Sequence, residues 1–378
     1  MSSFDVIIIG RGITGLSAAW HLYRHGIRKI CLIAPKISPE TTATLGPGYA
    51  SVSLHDNISR AVHGQGSEVA HAILNLNRTG FSGLLDFARE RNIFHQVGQV
   101  SRFADSDLEA KEMTKAVAWL VANGFPASIE KNQNRLVQRD GAAAASLDIS
   151  LTLKFLEKES KAAVRSNSVK AIKSNSNGVD VSLEDDTIVS GEMVIAACHR
   201  GIKELIPEME HTLVNHADQW MEFEVTKGTL PLAPGDLTFT AHSHFWMSCA
   251  TQNTLRAGGA RFLRKWAGIE AESAPVMGNI TNAVKTKIEE LFKTEGVKLS
   301  DPVKASGILD IRACDEIPII GPMFGDSRIL LASGYMGSGL TLGFAAGQGL
   351  AEFVDAGKSK VIPSLFHPNR LRSLTETD

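Results

Sequence analysis

A glycine-rich segment near the start of the chain limits the possible folds more than any other feature of the sequence. The apolar run Val6–Ile9 is typical of a buried parallel strand, and it leads through Gly10-Arg-Gly-Ile-Thr-Gly into a helical pattern. Gly10 allows a tight turn, Gly12 lets the backbone approach a diphosphate, and Gly15 lets the strand and the helix pack closely. Since a second strand at 29–34 completes a βαβ unit, the segment predicts a dinucleotide-binding site.

The composition is that of a globular protein with a large core, because 43% of the 378 residues are hydrophobic. A formal net charge of −2 and scattered basic residues predict no nucleic-acid partner. The four cysteines lie far apart without a CxxC spacing, which predicts a reducing cytoplasm and no zinc site. We expect a cytoplasmic protein, because no signal peptide precedes the first strand and the apolar stretch Ile329–Val354 is too rich in glycine for a transmembrane segment.

The rest of the chain predicts an α/β fold with two domains. Helical patterns cover 66–91, 107–123, 148–163, 274–294 and 340–356. Strand patterns cover 94–104, 169–173, 179–184, 187–190, 193–197, the block 220–261 and 328–332. We expect a Rossmann-like nucleotide-binding domain assembled from 1–90, 145–215 and 305–378, and a second α+β substrate domain, built on an antiparallel sheet, from 91–144 and 216–304. Polar stretches at 131–142 and 204–217 are expected to connect them.

A second glycine loop lies near the other end of the chain. The segment Ala332-Ser-Gly-Tyr-Met-Gly-Ser-Gly-Leu-Thr places a strand, a glycine loop and a helix N-terminus together, so free backbone N–H groups converge on one spot. Such a spot suits an anionic group, and a reduced flavin carries negative charge on its pyrimidine end. If the first glycine turn binds the diphosphate and the second binds the ring, the cofactor is FAD rather than NAD.

Four motifs resemble the D-amino-acid oxidase family of FAD-dependent oxidoreductases, which includes glycine oxidase and sarcosine oxidase. They are the first glycine turn with Thr41-Thr-Ala-Thr-Leu-Gly-Pro-Gly, the strand end Val194-Ile-Ala-Ala, the segment Asp315-Glu-Ile-Pro-Ile-Ile-Gly-Pro and the glycine loop Gly334-Tyr-Met-Gly-Ser-Gly-Leu-Thr. The resemblance implies an FAD-dependent oxidase or dehydrogenase that oxidises the C–N bond of an amine or amino acid to an imine by hydride transfer to the flavin. Oxygen or a quinone would then be the electron acceptor.

The same motifs predict the residues that bind FAD. The expected set is Gly10, Gly12, Ile13, Thr14, Gly15, Ala34, Lys36, Thr41, Thr42, Thr44, Gly46, Val169, Gly334, Gly337, Ser338, Gly339, Leu340 and Thr341. We expect non-covalent binding. The position near Gly46 lacks the histidine of relatives with a covalent flavin, and the spacing from Cys314 to Asp315 does not match an attachment cysteine.

Two departures from the family pattern leave other interpretations open. Ala34 stands where the family has an acidic residue for the adenosine ribose, and Lys36 follows it, which suits a 2′-phosphate and an NADP-dependent reductase. Asp310 stands at the position of the family arginine. Because this chain lacks that arginine and the acidic residue, a flavin-binding accessory protein without turnover is a further alternative.

The candidate catalytic residues are Arg312, Tyr335, His244 and Arg261. An arginine suits a substrate carboxylate because its planar fork matches two oxygens, and Arg256 is a further candidate for this role. Tyr335 lies within the second glycine loop. His242, His244 and Trp246 alternate as side chains do on one face of a strand, which is compatible with ordinary packing or with a cavity wall that faces the flavin. Two histidines at this spacing could also bind a metal, but the sequence suggests no third ligand.

Overall fold

The structure is a computed structural model that describes residues 4–35, 41–132 and 135–372. The strands in these residues are β1 (Phe4–Ile9), β2 (Ile30–Ala34), β3 (Tyr49–Ser51), β4 (His95–Phe103), β5 (Ala127–Asn132), β6 (Arg135–Leu147), β7 (Ala163–Ser166), β8 (Val169–Asn175), β9 (Gly178–Leu183), β10 (Ile188–Ala196), β11 (Leu213–Lys227), β12 (Leu237–Thr240), β13 (Phe245–Thr251), β14 (Thr254–Gly259), β15 (Lys298–Leu299), β16 (Lys304–Ala313), β17 (Ile319–Met323) and β18 (Asp326–Ser333).

The α-helices in the same residues are α1 (Ile13–Arg24), α2 (Thr42–Leu45), α3 (Ile58–Gln65), α4 (Ser67–Glu90), α5 (Asp107–Ala122), α6 (Ile149–Ser160), α7 (Ile202–Leu205), α8 (Gly278–Leu291) and α9 (Gly339–Ala356). Within the described part of the chain, none of these helices combines the length and the apolar character needed to cross a bilayer.

The first sheet is built around the predicted βαβ unit. Its strand order is β17-β18-β10-β1-β2-β7, with β9 on β10 and β8 on β9. Strand β1 pairs in parallel with β2 and β10, and β10 pairs in parallel with β18. The carboxyl ends of these strands therefore lie at one edge of the sheet, where open α/β sheets bind their ligands. The α/β fold class is confirmed.

The second sheet has the order β15-β11-β14-β13-β12-β4-β6-β3, with β16 on β11 and β5 on β6. Its pairs are antiparallel except for β4 with β12. Strand β16 belongs to this sheet, since Ala313 pairs with Leu213 and Lys304 with Glu222. The predicted division at residue 305 separates β16 from its partner β11, and the domain boundaries as a whole stay a prediction.

Two local predictions are wrong. Strand β10 is continuous from Ile188 to Ala196, rather than two strands, because its first half pairs with β9 and its second half with β1. The polar stretch at 131–142 is no connection, since most of it lies in β5 and β6. The polar side chains Gln138 and Asp140 are buried there, where Arg102 Nε donates to Asp140 Oδ2 at 3.2 Å.

Close packing of α9 against α1 brings the two ends of the chain together. A Cβ atom added at Gly343 would lie 2.8 Å from Ile13 Cγ2, and one added at Gly347 would lie 2.5 Å from Ser17 Cβ. Ser17 Oγ also donates to the Phe344 carbonyl at 2.8 Å. Since these contacts lie within the first two turns of α1 and the first three turns of α9, the N-terminal halves of the two helices are held side by side.

Candidate active site

A cavity of about 900 Å³ lies at the carboxyl edge of the first sheet and against one face of the second. Its volume is near the upper end of the range of about 300–1,000 Å³ for ligand pockets, so it has room for an elongated cofactor. Both glycine loops line it. The predicted residues at its wall are Gly10, Gly12, Ile13, Thr14, Ala34, Thr41, Thr42, Gly46, Val169, Arg312, Tyr335, Gly337, Ser338, Gly339, Leu340 and Thr341.

The first glycine loop has the geometry that the sequence predicts. Gly10 has a φ of 116°, and a Cβ atom there would lie 2.3 Å from the Ala197 carbonyl oxygen. Gly15 does not line the cavity, and a Cβ atom on it would lie 2.0 Å from the Gly10 oxygen, so it serves close packing. Gly12 is the N-cap of α1 without a side-chain cap, and a Cβ atom there would project into open space. The first amides of α1 are therefore free to bind an anion.

The second glycine loop also presents an uncapped helix N-terminus. Ser338 is the N-cap of α9 and makes no side-chain cap hydrogen bond, and the first turn carries no acidic residue. Gly337 lines the cavity with a φ of 85°, a conformation that favours glycine. Gly334, with a φ of 75°, lies behind the wall, where a Cβ atom would be 3.0 Å from the Ala313 nitrogen.

One hydrogen bond joins the two loops directly. Thr14 Oγ1 and the Tyr335 hydroxyl lie 3.0 Å apart, across 321 residues of sequence. Burial raises the pKa of the Tyr335 phenol, so it stays protonated and able to donate. The two uncapped helix N-termini therefore lie at one cavity.

The threonine-rich segment forms the wall between the loops. Thr41 and Thr44 cap α2 reciprocally: the Thr44 amide donates to Thr41 Oγ1 at 3.2 Å and the Thr41 amide to Thr44 Oγ1 at 2.9 Å. Thr44 does not line the cavity, since its hydroxyl is committed to this cap. Thr41, Thr42 and Gly46 do.

The cavity also reaches the end of β2, where an adenosine is expected. Ala34 and Val169 both line it there, and Lys36 lies outside the described residues. Sequence reasoning missed the neighbouring polar residues Asn167 and Ser168, which also line the wall. Their signal is weak, because a polar turn before a strand is ordinary loop composition.

Two of the four candidate catalytic residues lie at the cavity. Tyr335 is one of them, and Arg312 is the other. The Arg312 Nε lies 3.9 Å from Asp310 Oδ2 and is buried without a hydrogen-bond partner among the described residues. An arginine with unused donors at a cavity wall is suited to bind a carboxylate.

The two other candidate arginines do not line the cavity. Arg261 donates from a terminal guanidinium nitrogen to His216 Nδ1 at 2.9 Å and does not line the cavity. Arg256 is likewise outside it, since its Nε donates to Glu222 Oε2 at 2.8 Å. Neither guanidinium is placed to contact a ligand directly.

The predicted alternation of His242, His244 and Trp246 on one strand is wrong. Residues 241–244 form a turn in which Ala241, His242 and Ser243 have φ values of 51°, 53° and 64°, and β13 begins only at Phe245. The His244 ring lies 5.6 Å from the Phe262 ring and does not line the cavity. Trp246 does line it.

Charged groups are concentrated where the second sheet faces the cavity. Asp218 and Asp310 both line it, and nothing in the sequence alone singles out Asp218. Burial raises the pKa of Asp218. Burial acts in the same direction on Asp310, but His199 and Arg312 hold the pKa of this carboxyl below its ordinary value. Burial also lowers the pKa of His55, at the same wall, to about 4.

Metal ligation has no support in the described part of the chain, where no group of three or more His, Cys, Asp or Glu side chains could hold an ion. The backbone amides and the small residues that line the wall instead suit an organic anion.

A family model described as FAD dependent oxidoreductase (DAO) matches residues 5–353. The chain belongs to this family. It is an FAD-dependent oxidoreductase, which confirms the resemblance seen in the sequence and favours FAD over NADP as cofactor and an enzyme over an accessory protein. A search of curated proteins finds no match to the chain.

Solved structures of DAO-type enzymes share the fold across nearly the whole chain. Glycine oxidase from Geobacillus kaustophilus superposes with a TM-score of 0.79 at 13% identity, covering 97% of this chain and 98% of that one. L-proline dehydrogenase from P. horikoshii gives 0.77 at 14% identity and 98% coverage of both chains. Iminodiacetate oxidase from Chelativorans sp. BNC1 gives 0.70 at 16% identity, covering 96% and 98%. At these identities the likeness shows the fold alone.

The residues at the cavity fit FAD. The open space at Gly12 would be filled by any side chain, so the backbone there is accessible to a diphosphate. Gly339 likewise has nothing within 4 Å of its Cβ position, at the first turn of α9. Two uncapped helix ends on one cavity match a cofactor that is anionic at two separate points.

Proposed function

We propose that this DAO-family enzyme oxidises the C–N bond of an amine or amino acid to an imine. When bound, FAD supplies the redox chemistry, accepting a hydride, that is two electrons and one proton, from the substrate carbon. The observation that carries the proposal is the hydrogen bond between Thr14 and Tyr335, because it places both anion-binding helix ends on a single cavity that also contains Arg312.

In this proposal the two glycine loops share the cofactor. Gly10, Gly12, Ile13 and Thr14 would hold the diphosphate at the start of α1. The amides from Gly337 to Thr341, at the start of α9, would hold the electron-accepting ring, and Ala34 with Val169 would lie beside the adenosine. We propose non-covalent binding, since the exposed Cys314 does not line the cavity.

Arg312 is the proposed anchor for a substrate carboxylate. Its side chain is 15% exposed, and its Nε has no hydrogen-bond partner among the described residues, so a ligand carboxylate could use its donors. Tyr335 is a positioning residue that holds the second loop against Thr14. Arg261 and His244 keep no direct role in substrate binding, since neither lines the cavity.

The substrate end of the cavity favours an uncharged reacting amine. Trp220, Trp246 and Phe239 line it and are each at most 5% exposed, so an amine among them is largely desolvated. Desolvation disfavours the ammonium form and lowers the pKa of an amine, which frees the nitrogen lone pair to form the C=N bond. Oxygen or a quinone is the proposed electron acceptor.

An anaerobic substrate screen tests the proposal. Purified protein with bound FAD is mixed without oxygen with a panel of amines and amino acids, and the flavin absorbance is followed. We expect at least one member to bleach the flavin and to yield a carbonyl compound after imine hydrolysis. A tightly bound flavin that no member of the panel reduces would contradict C–N oxidation.

A further inference from the structure

A carboxylate without a cationic partner faces the substrate end of the cavity. Asp218 Oδ1 accepts a hydrogen bond from the Gln219 amide at 2.7 Å. In the described residues, no Lys, Arg or His nitrogen forms an ion pair with Asp218 within 4.0 Å. Asp310, two residue pairs further along the neighbouring strand, differs because His199 Nε2 and Arg312 Nε both lie 3.9 Å from it. A buried carboxylate is costly unless a cation compensates it, and for Asp218 this compensation comes without a direct ion pair, from the more distant Arg261 and Arg312.

Aromatic side chains line the cavity together with Asp218, and one of them, Trp220, already has Lys304 Nζ 5.3 Å from its ring centroid. Trp220 lies two residues further along β11 and therefore projects from the same face of the strand. Its indole nitrogen donates to the Leu45 carbonyl at 2.7 Å, which fixes the ring at the cavity wall. Tyr49 lies on the facing wall, with its ring 5.1 Å from that of Trp246.

The register of the sheet explains why the two tryptophans meet at one site. Trp220 and Trp246 each pair with Gly258, which lies between them on β14. A Cβ atom on Gly258 would lie 2.7 Å from Trp246 Cζ2, so only glycine leaves room for this indole to lie across the strand toward Trp220. Because Gly258 has no side chain, the Trp246 indole has space to form part of the aromatic wall.

We propose that Asp218, with the rings of Tyr49, Trp220 and Trp246, forms a subsite for a cationic group of the substrate. A carboxylate supplies the opposite charge, and aromatic faces attract ammonium groups, most strongly when water is excluded. The site thus takes an alkylammonium group, either protonated or quaternary.

This cation is distinct from the amine that is oxidised. An ammonium group held by a carboxylate keeps its proton, and its nitrogen has no free electron pair to form a C=N bond. The inference rests on the proposed function, and it narrows the substrate to compounds that carry a cationic group in addition to the reacting amine, such as diamines or basic amino acids. The raised pKa of Asp218 agrees with a site that lacks its cation. Its first cause is burial, the charge of Asp310 adds to it, and Arg261 and Arg312 oppose it.

Ligand binding without turnover tests the subsite. Protein with bound FAD is titrated with tetramethylammonium chloride at constant ionic strength, and the perturbation of the flavin absorbance is measured. The uncharged tert-butyl alcohol, of similar shape, is the ligand control. We expect saturable binding of the cation only, and at least tenfold weaker binding in Asp218→Asn. Asp186→Asn, a surface carboxylate that is 87% exposed, is the matched control and should bind like the wild type.

Two results would overturn the subsite. One is an equal response of the wild type to the two ligands, and the other is full binding of the cation by an Asp218→Asn protein with normal flavin content. A second measurement needs no variant. The wild type should oxidise lysine or putrescine with a kcat/KM at least tenfold above that for the neutral counterparts norleucine or butylamine. The reverse preference would also overturn the inference.

The experiments distinguish a failure of the cation subsite from a failure of the proposed C–N oxidation. Cation binding that depends on Asp218, without flavin reduction by any amine, would leave the subsite standing and reject C–N oxidation. Flavin reduction by neutral amines, with no tetramethylammonium binding, would keep C–N oxidation and reject the subsite.

Discussion

The two ends of the cavity differ in the groups that form their walls, which are backbone groups at one end and side chains at the other. At the first sheet, the wall consists of glycine turns and the amides of α1 and α9, so the backbone does the binding. At the second sheet, the wall consists of side chains that project from β11, β13 and β16, among them Asp218, Trp246 and Arg312. A backbone site recognises a common feature such as a diphosphate, whereas a side-chain site can be altered residue by residue. The proposed cofactor end therefore depends on backbone geometry, and the proposed substrate end depends on individual side chains.

The largest expected effect comes from placing a charged side chain in the backbone-built end. Gly337→Asp adds a carboxylate at a φ of 85° beside the uncapped N-terminus of α9, where the proposed flavin head lies. We expect at least a tenfold loss of bound flavin, measured by absorbance after purification, since both the strain and the charge oppose binding.

Gly325→Asp is the matched control for this variant. Gly325 has nearly the same φ, 84°, nothing lies within 4 Å of its Cβ position, and it does not line the cavity. Normal flavin content in Gly337→Asp, or an equal loss in both variants, would show that the second glycine loop does not hold the ring.

The next largest effect is expected at the side-chain end. Arg312→Leu removes the proposed carboxylate anchor, and we expect kcat/KM for a reactive amino acid to fall about 100-fold, as for the loss of charge-assisted hydrogen bonds. The amine that corresponds to this amino acid without its carboxyl group serves as the internal control and should lose little. Equal losses for both substrates would mean that Arg312 does not recognise the carboxylate.

The cofactor end could be predicted from the sequence because its function requires glycine at fixed spacings. Gly10, Gly12 and Gly337 lie at the cavity for reasons of backbone geometry, and such requirements are visible in one sequence. The substrate end could not be predicted in this way. Asp218 and Trp220 come from β11, and Trp246 comes from β13, so their proximity depends on strand register and on the small residue Gly258 between them.

Buried polar residues caused one of the errors in the fold. Residues 131–142 were expected to be a connection because they are polar. Within β6, however, Asp140 bonds to Arg102 and Ser53, and Gln138 accepts from Asn57 Nδ2 at 3.1 Å. Polar side chains that satisfy each other inside a sheet have the same composition as a surface loop. His244 was misplaced for a related reason, since alternation alone does not distinguish a strand from a turn with left-handed residues.

A smaller effect is expected at the hydrogen bond between the two glycine loops. Tyr335→Phe removes the 3.0 Å contact with Thr14 and leaves the ring in place. A neutral hydrogen bond contributes about 1 kcal/mol, so we expect the Kd for FAD to rise about fivefold, measured by fluorescence titration of the apoprotein. Thr14→Val should have a similar effect, and the double variant should be no worse than either single one. Additive losses would show that the two groups act separately.

The smallest expected effect is an acid sensitivity of the substrate end. Burial and the charges of Arg312 and Arg261 lower the pKa of His216 to about 4, while the unfolded chain has the ordinary value of 6.5. Between these values the unfolded state binds more protons, so this contribution to stability is complete above pH 6.5 and is lost as the pH falls toward 4. We expect Tm to fall less between pH 7 and pH 5 in His216→Gln than in the wild type.

His211→Gln, on the exposed segment before β11, is the control and should follow the wild-type curve. Parallel Tm curves for His216→Gln and the wild type would mean that His216 is not held neutral by its surroundings, and the electrostatic description of this end would need revision.

A crystal structure of the protein with FAD bound tests the central claim most directly. We expect one FAD molecule across the cavity, with its diphosphate within hydrogen-bond distance of the amides from Gly12 to Thr14 and the pyrimidine end of its ring at the amides from Gly337 to Leu340. A flavin ring that lies away from the second glycine loop, or a diphosphate that makes no contact with the first, would contradict it.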